Sequence, residues 1–256
     1  VFFFLSGYGL CVSYRKRGSS YVDNFLSHRL GKLLPPFVIL TGISMLGLYY
    51  YNSHTIGMQL DSFVHKGHTP LPNSWFIYVI SYAYITFFIS ARIGKTLGCV
   101  GILHLIFSII YVSFMYCFTQ FGTYWWWTIL AINVGYCVAL YESEIEKFIL
   151  KNRLLSYSLI IFTLFLSFCA ACKITQMANT FSIIWILVQT FSIYVIIRTF
   201  GMVKWNWLLF VGNISLEIYL IHGIPLKILE NLGFQEAGLW ITTFIISIFG
   251  AYLINR

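Results

Sequence analysis

Charge is what this sequence has least of. Its 256 residues include 16 Lys and Arg and 8 Asp and Glu, so 9% are charged, against roughly a quarter in an ordinary soluble domain. That scarcity excludes a water-soluble globule, whose surface needs charged side chains. Metal-ligand spacing and a disulfide framework are missing too: the six cysteines, Cys11, Cys99, Cys117, Cys137, Cys169 and Cys172, fall inside or at the edge of apolar runs. They read as buried, inert thiols, and no metal is expected. The first apolar run, VFFFLSGYGL, has no starting Met, no basic flank and no signal-peptide cleavage pattern. This reads as a chain whose N-terminal part is missing.

What remains is hydrophobicity, with 59% of residues apolar and 20% aromatic. A membrane-crossing helix needs about 20 mostly apolar residues, and nine such segments follow one another: A 1–14, B 33–51, C 75–91, D 97–118, E 123–141, F 154–172, G 180–199, H 207–224 and I 238–254. Lipid satisfies no backbone donor or acceptor, so these segments must be helices. The expectation is an all-α, polytopic membrane bundle forming one membrane-embedded domain over 1–256.

The net charge of +8 is spread over short loops rather than gathered on one soluble module, which argues against nucleic acid. Cytoplasmic loops carry an excess of Lys and Arg. If A runs from outside to inside, thirteen basic residues fall inside: Arg15, Lys16, Arg17, Arg29, Lys32, Arg92, Lys95, Lys147, Lys151, Arg153, Arg198, Lys204 and Arg256. Only Lys66, Lys173 and Lys227 fall outside. This places residue 1 outside and the C-terminus in the cytoplasm. The outer stretch 52–74, with His54, His65 and His68, reads as a solvated loop, and the mixed-charge stretch 142–153 as a short interfacial helix.

Polar groups inside hydrocarbon are costly and mark candidate sites. Segment H offers the best set, Asn213, Ser215, Glu217, Tyr219 and His222. Ser215, Tyr219 and His222 stand at i, i+4 and i+7 on one face, while Glu217 and His222 lie roughly 140° apart and cannot pair unless the helix is broken. His222 is read near the outer end of H; the plainer alternatives are an interfacial histidine and, for Glu217, a carboxyl bonded to another helix or held protonated. His104, in the middle of D, reads either as a helix-to-helix hydrogen bond or as part of a proton relay. At the inner mouth of A and B, Arg15, Arg17, Arg29 and Lys32 either anchor topology and meet anionic lipid or grip a phosphate-bearing ligand. Pro35 and Pro36 bend or start helix B just beyond Arg29 and fix where its guanidinium points.

Four patterns in order, FFFLSGYGL (2–10), HRLGKLLPPF (28–37), SWFIYVISYAY (74–84) and SLEIYLIHG (215–223), make the chain resemble membrane-bound acyltransferase family 3. The resemblance implies about ten helices in the complete protein. It implies an O-acyltransferase that uses acyl-coenzyme A, acetyl-coenzyme A above all, and a hydroxyl on a surface polysaccharide or lipid-linked glycan, in a bacterial inner membrane. It further implies a helix before A carrying an Arg and the main catalytic His. By matching position, it assigns Arg29 to the basic residue before the prolines, Trp75 and Tyr84 to the WF…Y block, and Tyr219 and His222 to the YL-x-H pattern. Ile80 and Ser81 depart from the acidic residues that many relatives carry in that block. Together, the residues and the resemblance make His222, Tyr219 and Glu217 catalytic candidates, Arg29, Arg15, Arg17 and Lys32 donor-binding, and Trp75 and Ser215 acceptor-binding, with Tyr84 added to the acceptor side by the resemblance alone. Acyl transfer needs a base, an oxyanion donor and a grip on the carrier.

A transporter or flippase of a glycan precursor is the rival reading, with Glu217, His104 and His222 as a proton relay. No internal repeat or matched pair of broken helices supports it. For the topology, cysteines placed at His65 and Lys173 are expected to react with an impermeant reagent from outside, and those at Arg17 and Lys147 not; outside labelling at Lys147 overturns the nine-segment arrangement.

Overall fold

The computed structural model describes residues 2–52, 55–71, 74–152, 214–231, 233 and 236–254, with scattered positions between 154 and 195. Among them the regular structure is helical: α1 Phe2–Arg17, α2 Ser20–Asp23, α3 Phe25–Asn52, α4 Ile56–Lys66, α5 Trp75–Ile93, α6 Leu97–Phe118, α7 Tyr124–Trp127, α8 Ile129–Leu140, α9 Glu142–Lys151, α10 Ser215–Ile221, α11 Gly223–Asn231 and α12 Glu236–Ile254. Residues 20–50, 75–93 and 97–118 are long and apolar enough to cross a membrane, and 124–140 and 241–253 are shorter apolar helices. Most of segments F and G, with Lys173, Arg198, Lys204, His54, Asn213, Cys169 and Cys172, lies outside the described residues.

Three boundaries differ from the sequence reading. Helix α3 begins at Phe25 rather than 33 and carries Pro35 and Pro36 inside it. The prolines remove only the bonds that the Gly31 and Lys32 carbonyls would have accepted. The stretch 52–74 is not all loop. Thr55 caps the start of α4 by accepting from the Met58 N–H at 3.3 Å, and Gly67, at φ 66°, ends it in the left-handed region open to glycine. Segment H does not stop at 224: after a turn at His222 the chain continues as α11 to Asn231, taking the outer-loop Lys227 into a helix. The short helix expected at 142–153 is present as α9.

The chain forms two compact units. In the first, 1–26, 82–118 and 123–203, helix directions follow from facing residues. The Tyr82 hydroxyl donates to Phe107 O at 3.0 Å while Ala83 O lies 3.1 Å from His104 Nε2, so α5 and α6 are antiparallel. Tyr111 reaches Trp125 O at 2.9 Å and Tyr136 reaches Leu97 O at 2.9 Å, so α6 and α8 are antiparallel as well. Helices α1 and α8 run parallel, with Gly7 against Ile132 and Arg15 against Ala139 and Leu140. These directions match the alternation expected of A, C, D and E.

His104 is the polar centre of this unit. Its Nδ1 lies 2.9 Å from Asn133 Oδ1, and Asn133 Nδ2 donates to Ser108 Oγ at 2.8 Å. The Ser108 hydroxyl donates to His104 O at 2.9 Å. With Ala83 O on the other ring nitrogen, the helix-to-helix reading of His104 holds: one imidazole joins α5, α6 and α8.

Close packing of α1 on α8 depends on glycine. A Cβ at Gly7 would run into the backbone of Ile132, and one at Gly135 into the backbone of Phe4, whereas Gly9 has nothing within 4 Å. Small residues allow such approach where hydrocarbon provides no hydrophobic drive. Gly7→Val and Gly135→Val are therefore expected to destabilise the protein in detergent by roughly 1–3 kcal/mol or more, with Gly9→Val near neutral. Equal melting of all three variants would contradict the packing.

Candidate functional site

The second unit comprises 27–81, 119–122 and 204–256, and brings together residues from segments C, H and I. Helix α10 stops at Ile221 because Pro225 lacks the N–H that would bond the Ile221 carbonyl, and its ring crowds that carbonyl. His222 occupies the resulting turn. Its Nδ1 lies 2.6 Å from the Tyr219 carbonyl, which can only accept. Nδ1 is therefore the donor in this bond. Nine helical residues, Gly223–Asn231, follow His222. These amount to roughly 13 Å of helix, so the helical stretch resumes beyond the turn at His222.

An aromatic series leads to this histidine. Trp75 and Phe76 have ring centroids 6.5 Å apart, Phe76 and Tyr219 4.6 Å, and Tyr219 and His222 5.3 Å. Three of the sequence-predicted residues, Trp75, Tyr219 and His222, are thus joined through Phe76, which the sequence reading passed over as one more apolar position. Ser215 opens α10, and its side chain lies outside the described residues. Glu217 Oε2 is buried and has no hydrogen-bond partner among the described residues.

Tyr219 and His222 form one wall of a cleft of about 630 Å³ between α10 and α12. Thr243 and Ser247, one turn apart on α12, lie on the other wall. Ile218, Ile241, Phe244 and Ile245 make up the rest. Thr243 and Ser247 were also missed, although a Thr and a Ser four apart in the run ITTFIISIF are the kind of signal that marks a polar face.

The basic candidates divide between the units. In the second, Arg29 and Lys32 stand at i, i+3 on α3, hence on one side of the helix, with Arg29 half-buried and Lys32 exposed. In the first, the Arg15 guanidinium donates to the Ala139 carbonyl and, at 3.3 Å, to the Leu140 carbonyl. It also lies 3.9 Å from the Glu142 carboxylate, which accepts from the Tyr8 hydroxyl. Arg15 thus closes the C-terminus of α8 and fixes the start of α9. The Arg17 guanidinium lies 5.8 Å from the centre of the Tyr21 ring. Tyr84 is buried with its ring edge-on to Phe25 at 5.7 Å. Nine residues separate it from Trp75, roughly 13 Å along α5, so the two ends of the WF…Y block do not meet. No group of His, Cys, Asp and Glu that could hold a metal occurs among the described residues.

The family profile described as an acyltransferase domain matches residues 1–256, the whole chain. The chain belongs to acyltransferase family 3. No curated protein and no solved structure matches it. Membership makes the protein a membrane acyltransferase in kind, and it gives the His222 cleft and the basic residues of α3 a chemistry to be tested against.

For this acyltransferase Arg15 carries a structural prediction. Arg15→Ala removes the cation from the last carbonyls of α8 and from Glu142, and is expected to lower stability by about 1 kcal/mol. That corresponds to a fall of about 2–4 °C in melting temperature for a chain of this size. Arg17→Ala is expected to melt like the parent. If Arg15→Ala also melts like the parent, the guanidinium is not holding α8 and α9.

Proposed function

We propose that the protein is an integral membrane O-acyltransferase that moves an acyl group, acetyl above all, from cytoplasmic acyl-coenzyme A to a hydroxyl of a surface glycan or lipid-linked sugar in a bacterial inner membrane. The hydroxyl oxygen attacks the thioester carbonyl, a C–O bond forms as the C–S bond breaks, and the hydroxyl proton passes through a base to the coenzyme A thiolate. The observation that carries this reading is the Tyr219–His222 pair at the wall of the cleft. Since the Tyr219 carbonyl holds the Nδ1 proton at 2.6 Å, Nε2 is the nitrogen that accepts a hydrogen bond from an acceptor hydroxyl, and the aromatic series from Trp75 gives that end a surface for a sugar ring.

The donor end falls to the cations of the inner side. Arg29 and Lys32, three residues apart on α3, suit a pyrophosphate, for which a planar guanidinium supplies two parallel donors and an ammonium a point charge. Arg15 is largely committed to the α8 carbonyls.

Transfer of labelled acyl groups from acyl-coenzyme A by the full-length protein is the test. Arg29→Ala is expected to raise KM for the donor with membrane insertion intact. His222→Ala is expected to reduce transfer by less than the roughly 10²-fold that loss of a general base entails, chiefly through KM for the acceptor. Ile221→Ala serves as control, because Ile221 packs on Gly250 and does not line the cleft. Equal damage from Ile221→Ala and His222→Ala, at equal folded protein, would separate the cleft from the acceptor. Absence of transfer from any acyl-coenzyme A would overturn the reading.

A further inference from the structure

Of the four hydroxyls on helix α12, Thr242, Thr243, Ser247 and Tyr252, Thr243 and Ser247 line the cleft, and their situations differ. Ser247 is satisfied within its own helix, its Oγ donating to Thr243 O at 2.6 Å. Thr243 is 4% exposed and lines the cleft, yet its Oγ1 has no hydrogen-bond partner among the described residues. A buried hydroxyl left without a partner costs about 1–3 kcal/mol, and hydrocarbon cannot relieve it. Across the cleft stand Tyr219 and His222. The remaining walls are aliphatic and aromatic, and three of their residues, Ile241, Phe244 and Ile245, are 61%, 53% and 60% exposed. The cleft wall is thereby continuous with the lipid-facing side of α12, where Ile246, Phe249 and Leu253 are also exposed.

These features select among ligands. A free sugar fits poorly between hydrocarbon walls, and a purely apolar molecule leaves Thr243 unsatisfied. A hydrocarbon chain ending in one polar joint matches both. At about 630 Å³ the cleft falls inside the roughly 300–1,000 Å³ range of small-molecule sites, enough for a stretch of chain beside that joint.

We propose that the α10–α12 cleft seats the hydrocarbon chain of a membrane-resident acceptor, which enters sideways from the bilayer and sets its polar joint between Thr243 and His222. The proposal rests on the acceptor reading of His222. A chain moving from lipid into this cleft gains little from the hydrophobic effect, since it leaves one hydrocarbon environment for another. The contribution is orientation: the chain holds the hydroxyl at a fixed depth beside Nε2, which turns encounter into positioning.

The test uses the full-length protein in liposomes with two photoactivatable lipids in separate preparations, a diazirine-bearing diacyl phospholipid and a diazirine-bearing polyprenyl phosphate. Cross-links are mapped to residues, and acyl transfer is read in parallel. Labelling at Ile218 and Thr243 is expected to saturate with one probe and to be competed by its unlabelled counterpart, which identifies the chain. Labelling at Leu253 is expected to rise in proportion to either probe. Ser247→Phe and Ile218→Trp, which fill the cleft from opposite walls, are expected to abolish the saturable component and leave the proportional one, the latter reporting an intact fold. Proportional labelling of the cleft by both probes, or saturable labelling that survives both substitutions, overturns the proposal. Saturable cleft labelling without acyl transfer upholds the chain site and removes the acyltransfer reading. Transfer to a water-soluble acceptor with no saturable labelling does the reverse.

Discussion

Hydrocarbon supplies neither a donor nor an acceptor, and the arrangement of polar groups in this protein follows from that. Backbone groups close on themselves in helices, and each polar side chain inside must find a partner in the protein or remain unsatisfied. His104 finds partners on two other helices, Asn133 of α8 and Ala83 of α5. Arg15 finds the terminal carbonyls of α8, where the negative end of the helix dipole favours a cation. Thr243 Oγ1 and Glu217 Oε2 are buried without a partner among the described residues, and both belong to the unit that contains the His222 cleft.

Much of this was legible in the sequence, for a physical reason: a run of about 20 apolar residues has one stable solution in lipid. Segments A, C, D and E appear with the expected directions, and family membership agrees with the four local patterns. What escaped was local stereochemistry. The spacing of Ile56, Leu60 and Val64, together with Thr55 and Gly67, marks α4, but a polar, histidine-bearing stretch reads as loop when apolar length is the guide. Arg15 illustrates a second limit. Counting basic residues locates a side of the membrane, yet says nothing of which carbonyl a guanidinium will reach. The i, i+4, i+7 argument joined Tyr219 and His222 correctly but held only as far as the helix did, and Pro225 ends that helix at Ile221.

The α12 wall bears on the proposed use of the His222 site. The histidine borders a cleft whose α12 side is exposed at Ile241, Phe244 and Ile245. In the proposed reaction, an acceptor that presents its hydroxyl there comes from the bilayer or along the aromatic series that begins at Trp75. Both routes suit a lipid-linked substrate better than a free sugar, whose hydration would have to be given up for a largely hydrocarbon wall.

Proline ties the two ends of the proposed reaction to one structural device. In α3, Pro35 and Pro36 release the carbonyls of Gly31 and Lys32, within the turn that carries Arg29 and Lys32; after α10, Pro225 releases the carbonyl of Ile221, next to His222. A helix in lipid gives up a backbone bond only where protein or a cavity takes over the freed group. Prolines placed without function would therefore be expected where helices pack tightly, with a neighbouring side chain to compensate. Both interruptions instead fall within a turn of the residues proposed to hold donor and acceptor. A freed carbonyl there also lowers the local electrostatic potential, which at α3 favours a retained cation and at His222 favours the hydroxyl proton as it leaves the acceptor oxygen. The breaks that shape these two helices would thus contribute to the chemistry proposed at each end.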